Sequence, residues 1–69
     1  MMPYFTKHAL DRYIDRRGGV TRKHALTQLS GMWDVAQRGE QMMDGSVRYR
    51  VCDLVMVYQE KTNAVVTCW

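Results

Sequence analysis

The chain has 69 residues, which suffice for a single domain over residues 1–69 and exclude a second one. Ten Lys and Arg residues against seven Asp and Glu residues give a net charge of +3, a mild bias toward anionic partners. No stretch approaches the ~18 apolar residues of a membrane span, and the N-terminus lacks a basic segment followed by an apolar run. We therefore expect a cytoplasmic protein with no membrane partner.

Two helices are predicted in the first half of the chain. Thr6 can cap a helix over residues 7–17, and Gly18-Gly19 ends it because glycine tolerates the left-handed turn of a helix end. A second helix is predicted from the cap Thr21 to Arg38, since its apolar residues recur at three-to-four spacing. Gly39 is its expected terminator.

After the second helix the apolar pattern changes from helical to alternating, which is typical of strands. The alternating segments are 46–52, 54–59 and 64–69, with a short edge strand over 40–43. The turn pair Asp44-Gly45 is a strong hairpin signal. The predicted fold class is α+β, with two N-terminal helices packed on one face of a three- to four-stranded antiparallel sheet.

One stripe of the first helix carries a histidine and two arginines. His8, Arg12 and Arg16 are four residues apart and therefore lie one helical turn above each other. An imidazole titrates near neutral pH and can transfer a proton, whereas arginine binds phosphate with two parallel hydrogen bonds. The stripe fits RNA chemistry, and it also fits an ordinary solvated helix face.

The strand over 46–52 separates basic from apolar side chains. Arg48 and Arg50 point to one face, and Val47, Tyr49 and Val51 point to the other. If the helices cover the apolar face, the two arginines stand on an open surface where they can hold an RNA backbone. The alternative is that they are exposed strand cations that deter edge-to-edge aggregation.

The last two strands carry polar and aromatic side chains of interest. The Tyr58 ring can stack on a base, and the hydroxyls of Tyr58 and Thr67 can donate a hydrogen bond to phosphate. Trp69 is expected to pack at the core or its rim rather than stack on a base. Cys52 and Cys68 are expected to be small buried hydrophobes, because both lie in stretches rich in β-branched residues. Neither has a second metal-type pair nearby, so zinc-ribbon spacing is absent. No metal site and no cofactor are expected.

Residues 5–16, FTKHALDRYIDR, look like the "HAxxRxxxR" helix that opens domain of unknown function 4258, a group of small bacterial and phage-borne proteins. The second helix, the strand that contains 48–51 and the closing strand 65–69 also match the general layout of that group. The resemblance spans most of the chain and rests on short, degenerate motifs.

That group is similar to the RelE-like, barnase-like and colicin-like ribonuclease toxins, in which helices precede a curved antiparallel sheet that cradles RNA. The resemblance implies a metal-independent endoribonuclease, in which a ribose 2′-hydroxyl attacks the adjacent phosphate with acid-base and cationic assistance. The predicted catalytic residues are His8, Arg12 and Thr67, and the predicted RNA- or phosphate-binding residues are Arg16, Arg48, Arg50 and Tyr58.

Two other functions remain open at this point. One is a noncatalytic inhibitor or adaptor, of phage or bacterial origin, that binds a host protein with the same scaffold; six methionines suit an adaptable interface of this kind. The other is nucleic-acid binding without cleavage. The expected partner is therefore RNA or a host protein, either an antitoxin or an inhibited enzyme.

Overall fold

The computed structural model describes residues 2–69, in which a two-residue strand precedes two helices and four further strands. The elements are β1 (Tyr4–Phe5), α1 (Lys7–Arg17), α2 (Arg22–Val35), β2 (Gln37–Gln41), β3 (Ser46–Val51), β4 (Leu54–Gln59) and β5 (Ala64–Cys68). They form one five-stranded sheet in the order β1-β5-β4-β3-β2. Neighbours from β2 to β5 are antiparallel, whereas β1 runs parallel to β5. The α+β class is confirmed, but the sheet has five strands rather than the predicted three or four, and one of its pairs is parallel rather than antiparallel.

Both helices begin at the predicted caps. The Thr6 hydroxyl accepts the Ala9 backbone N–H at 3.1 Å, and the Thr21 hydroxyl accepts that of His24 at 3.2 Å. Each bond satisfies one of the backbone donors that a helix start leaves unpaired. At the end of α1, Gly18 takes a positive φ of 73°, the left-handed turn that glycine makes at no steric cost.

The second helix ends earlier than the sequence predicts. It stops at Val35 rather than Arg38, and its last turn closes with a bond from the Ala36 N–H to the Trp33 carbonyl at 3.3 Å. The residues that follow pair with β3 as an edge strand instead. Cross-strand hydrogen bonds available only in the folded sheet thus override the helical pattern of the sequence.

Gly39 lies inside β2 and is not the terminator of a helix. The edge strand was predicted over 40–43, and it forms over Gln37–Gln41 with a shift of register between Arg38 and Gln41. A Cβ atom on Gly39 would lie 2.7 Å from the Arg48 carbonyl oxygen. Glycine is therefore required here by the close approach of two backbones.

The strand β1 is absent from the prediction, for a simple reason. It contains only Tyr4 and Phe5, which are too few to show an alternating pattern. It pairs with the far end of the chain, where Tyr4 lies opposite Ala64 and Phe5 opposite Val65. Such a pairing joins the two ends of the chain and leaves no local signal.

The helices cover one face of the sheet and form the core there. The residues that share this core are Phe5, Ala9, Tyr13, Ala25, Leu29, Leu54, Met56, Val65 and Cys68. Trp33 of α2 adds an aromatic cluster with Tyr49 and Tyr58, at ring-centroid distances of 4.4 and 5.1 Å. Neither helix of the described chain has the length and apolar character needed to cross a bilayer.

We expect Gly39→Ala to destabilise the protein by about 1–3 kcal/mol, because the new methyl group overlaps the Arg48 carbonyl. The matched control is Gly31→Ala inside α2, where an added Cβ meets no atom within 4 Å. Since alanine is the better helix former, the control should gain about 0.5–1 kcal/mol. Urea unfolding measures both, and equal effects of the two substitutions would contradict the close approach at Gly39.

Candidate nucleic-acid interface

The side of the sheet opposite the helices is called the open face here. Cross-strand pairing places two rows of side chains on it, Arg48–Val57–Thr67 and Arg50–Val55–Trp69. Tyr49 and Val51, which alternate with the arginines, pack against the core on the helix side. The predicted separation of basic and apolar faces is therefore confirmed. The open face combines cations, a hydroxyl and an indole.

Arg48 and Trp69 form the central contact of the open face. The Arg48 guanidinium carbon lies 5.0 Å from the centroid of the Trp69 ring, a cation-π contact. Trp69 is 41% exposed, so it is not a core residue, and its contact with Arg48 is consistent with the predicted packing at the rim. The Nε atom of Arg48 is buried without a hydrogen-bond partner, and Arg48 forms no ion pair within residues 2–69.

The helix stripe meets the open face at Trp69. A groove of about 420 Å³ is lined by Arg12, Asp15, Arg16, Cys68 and Trp69. A second groove, of about 500 Å³, contains Trp69 together with open-face side chains. Because Trp69 belongs to both grooves, cationic side chains of α1 and β3 flank the same indole.

Two predicted phosphate ligands already have carboxylate partners. Arg16 binds the Asp53 carboxylate at 2.9 Å and the Asp53 carbonyl at 2.8 Å. Arg50 binds Glu40 at 3.0 Å, and this hydrogen bond lowers the pKa of the Glu40 carboxyl. A phosphate must displace a carboxylate to reach either arginine. Arg12 has no such partner within the described chain, residues 2–69.

Tyr58 lies on the helix side of the sheet rather than on the open face. Its ring packs 5.1 Å from Trp33, and its hydroxyl donates to the Asn63 side-chain oxygen at 2.7 Å. The predicted role of Tyr58 in RNA binding does not fit this position, because α2 covers the ring. Thr67, in contrast, lines the same open-face groove as Arg48.

His8 is exposed on α1, one turn before Arg12. Its side chain makes no hydrogen bond or ion pair within residues 2–69, and it does not line the groove that contains Arg12. The structure thus brings together Arg12, Arg48 and Thr67 around Trp69. It leaves His8 outside this group.

The two cysteines differ from each other. Cys68 is buried as predicted, and its thiol contacts the Ala9 carbonyl oxygen at 3.4 Å. Burial raises the pKa of the Cys68 thiol, although the charges of Arg12 and Arg16 oppose the shift. Cys52 is exposed in the turn after β3, at a φ of 54°, so its predicted burial is wrong.

Asp44 is a candidate site residue that the sequence pattern did not reveal beyond its place in a turn. The Ser46 hydroxyl and backbone N–H both donate to the Asp44 Oδ1 atom, at 2.6 and 3.0 Å. These bonds lower the pKa of the Asp44 carboxyl, which is therefore ionised at neutral pH. Asp44 also lines the open-face groove that contains Trp69.

Comparisons of the chain with protein-family models, curated proteins and solved structures find no match. The resemblance to domain of unknown function 4258 and to the ribonuclease toxins therefore stays a prediction. Among residues 2–69, no three His, Cys, Asp or Glu side chains are grouped in a way that could hold a metal ion.

We expect Asp44→Asn to weaken the acid sensitivity of the fold. A carboxyl whose pKa is lowered by folding stabilises the native state above its ordinary pKa of about 3.9, and this contribution is lost as the pH falls through the lower folded value. The amide can keep the Ser46 bonds and cannot be protonated in this range. Unfolding free energies measured between pH 6 and about pH 2 should therefore fall less steeply in the variant.

Asp34→Asn is the matched control for this measurement, because Asp34 is exposed on α2 and forms no ion pair within the described residues. Its pH dependence should equal that of the wild-type protein. Identical curves for all three proteins would show that the Asp44–Ser46 bonds contribute nothing to acid sensitivity.

Proposed function

We propose that the protein binds RNA across its open face and the adjoining groove of α1, where Arg48 and Arg12 hold phosphates on the two sides of Trp69. The observation that carries this proposal is the Arg48–Trp69 contact, since it places a cation and an exposed aromatic ring on one surface. Single-stranded nucleic acids are bound by this combination, in which arginines track the backbone and aromatic rings stack on bases.

The distribution of ion pairs supports the choice of these two arginines. Four of the seven arginines are paired with carboxylates within residues 2–69: Arg16, Arg22, Arg38 and Arg50. A fifth, Arg17, lies over the Tyr13 ring at 5.9 Å. Arg12 and Arg48 form no ion pair within residues 2–69, so a phosphate can bind them without the cost of breaking one.

The exposed indole supplies the second part of the affinity. Base stacking on an aromatic side chain contributes about 1–3 kcal/mol per base and tolerates any sequence, because every base has a π-face. Trp69 is suited to this role because one part of its surface contacts Arg48 while 41% of its area stays exposed. Thr67, in the same groove, adds a hydroxyl that can donate to a phosphate oxygen.

Metal-independent cleavage of the bound RNA is the second candidate function, and one observation favours it. His8 is exposed one helical turn from Arg12, with no partner within residues 2–69 that would restrain its imidazole. An imidazole there can accept the 2′-hydroxyl proton while Arg12 stabilises the charge on the attacked phosphate.

Binding of a host protein is favoured by a different surface. A groove of about 550 Å³ lies between β1 and both helices, and Met2, Tyr4 and Leu26 expose apolar area beside it. Exposed apolar patches of this kind often mark protein interfaces. This groove contains neither Arg48 nor Trp69, so an inhibitor function and RNA binding use separate surfaces.

We expect Arg48→Ala and Arg12→Ala each to weaken RNA binding and to lower its salt dependence. Each lost phosphate contact on a single strand reduces the slope of log K against log salt by about 0.7. Fluorescence anisotropy with a labelled, unstructured RNA at several salt concentrations measures both effects. Arg38→Ala is the matched control, since it removes the same charge from an arginine already paired with Glu60.

The control should bind like the wild-type protein. If all three variants lose affinity equally, general charge and not the Arg12–Trp69–Arg48 surface holds the RNA.

For cleavage, we expect the wild-type protein to cut RNA in the presence of a chelator and His8→Ala to lose this activity while keeping its affinity. Cleavage is lost without a loss of affinity because His8 would transfer a proton and not hold the RNA backbone. Incubation with end-labelled RNA gives the rate. His24→Ala is the control, as His24 is exposed at the start of α2. Equal rates for wild type and His8→Ala would remove His8 from the reaction.

A further inference from the structure

A groove that the proposed RNA binding does not use lies between β1 and the two helices. Its volume is about 550 Å³, which falls within the range of about 300–1,000 Å³ that small-ligand sites occupy. Arg22, Leu26 and Ser30 are four residues apart on α2, so they form one stripe of its lining. Phe5 of β1 and Leu10 of α1 add apolar side chains to the same cleft.

We propose that this groove binds the anion of a fatty acid as a monomer. The carboxylate lies at Lys7, and the alkyl chain lies along Phe5 and Leu26. The site goes beyond RNA binding, because it uses a different surface and takes a ligand of different chemistry.

The apolar part of the groove is incompletely covered in the free protein. Six large hydrophobic residues within residues 2–69 are exposed, and three of them line this groove: Met2, Tyr4 and Leu26. β1 is the edge of the sheet, and no further strand lies beside it in the described chain. Water therefore meets apolar side chains here, and an alkyl chain that displaces this water gains the free energy of apolar burial.

The charge of the groove is complementary to an anionic head group. Lys7 lines the groove and forms no ion pair within residues 2–69, whereas Arg22 is paired with Asp11 at 3.0 Å. No Asp or Glu is among the described residues that line the groove. A lysine ammonium is a compact point charge, which suits a single carboxylate. The groove thus combines an apolar cleft with one available cation.

Other occupants fit these features less well. In a symmetric dimer the same patch faces itself, so a second copy would bring its own Lys7 and Arg22 to a groove that is already cationic. A stable protein interface uses about 20–30 residues a side, whereas three side chains supply the exposed apolar area here. A single alkyl chain matches an apolar area of this extent.

A titration of ¹⁵N-labelled protein with decanoate, kept below its micelle concentration and followed by heteronuclear NMR, tests the site. The backbone signals of Phe5, Lys7 and Leu26 should shift and saturate, and the Trp69 indole signal should not move. Decyltrimethylammonium has the same chain length and the opposite charge, so it should bind at least about tenfold more weakly. Octanoate should bind about four- to fifteenfold more weakly than decanoate, because it lacks two CH₂ groups.

Two variants separate the head-group contact from the chain contact. Lys7→Gln should bring the affinities for decanoate and decyltrimethylammonium within about threefold of each other, because glutamine is neutral. Leu26→Ser should weaken binding of both amphiphiles, because it removes apolar contact from an exposed position. Lys61→Gln is the matched control and should bind like the wild-type protein, since Lys61 is exposed and does not line the groove.

Four results would overturn the fatty-acid site, and none of them bears on RNA binding. Equal affinities of the wild-type protein for decanoate and decyltrimethylammonium would show that the head group is not recognised. Binding only above the micelle concentration would assign the groove to an aggregate or a membrane surface. A dimer in sedimentation velocity that Leu26→Ser dissociates would assign it to a second copy. No shift around the groove at the highest monomeric concentration of decanoate would leave no such site.

Discussion

Two helices can cover only one face of the five-stranded sheet, and the rest of the structure follows from this constraint. Side chains on β3, β4 and β5 alternate between the two faces, so one set must be apolar and the other must meet water. Met56 and Tyr58 pack under the helices, whereas Arg48 and Trp69 lie on the open face. The uncovered face is therefore the place where side chains are free of packing demands and available for binding.

Ion pairs determine which cationic side chains of the protein remain without a carboxylate partner. A net charge of +3 is modest, and most arginines are neutralised by a carboxylate brought close in the fold. Of the three arginines without a carboxylate partner in residues 2–69, Arg17 lies over the Tyr13 ring, and Arg12 and Arg48 lie beside Trp69. In the proposed RNA complex, Arg12, Arg48 and the exposed aromatic ring beside them supply the contacts to the polyanion.

The elements that local sequence determines were predicted, and those set by distant contacts were not. The caps Thr6 and Thr21 and the whole of β4 follow from local side-chain chemistry and alternation. β1 depends on pairing with β5, and the early end of α2 depends on pairing with β3. No local window of the sequence contains both partners of the β1–β5 pairing, whereas β2 and β3 are neighbours in the chain.

The candidate site shows the same division. The face of Arg48 follows from alternation within a single strand. The partners of Arg16 and Arg50, which are Asp53 and Glu40, come from other elements and only the fold reveals them. Tyr58 was predicted to bind RNA because it is an aromatic residue on one of the last two strands, and only the fold shows that its ring packs against Trp33.

The central claim is that RNA binds beside Trp69 on the open face, and the two tryptophans allow a direct measurement. Trp33 belongs to α2 and packs onto Tyr49 on the helix side of the sheet, so its indole N–H and that of Trp69 report on opposite sides of the sheet. In a titration of ¹⁵N-labelled protein with a single-stranded RNA, followed by heteronuclear NMR, we predict that the Trp69 indole signal shifts and the Trp33 signal does not. A shift of Trp33 alone, or of neither indole at saturating RNA, would contradict the account.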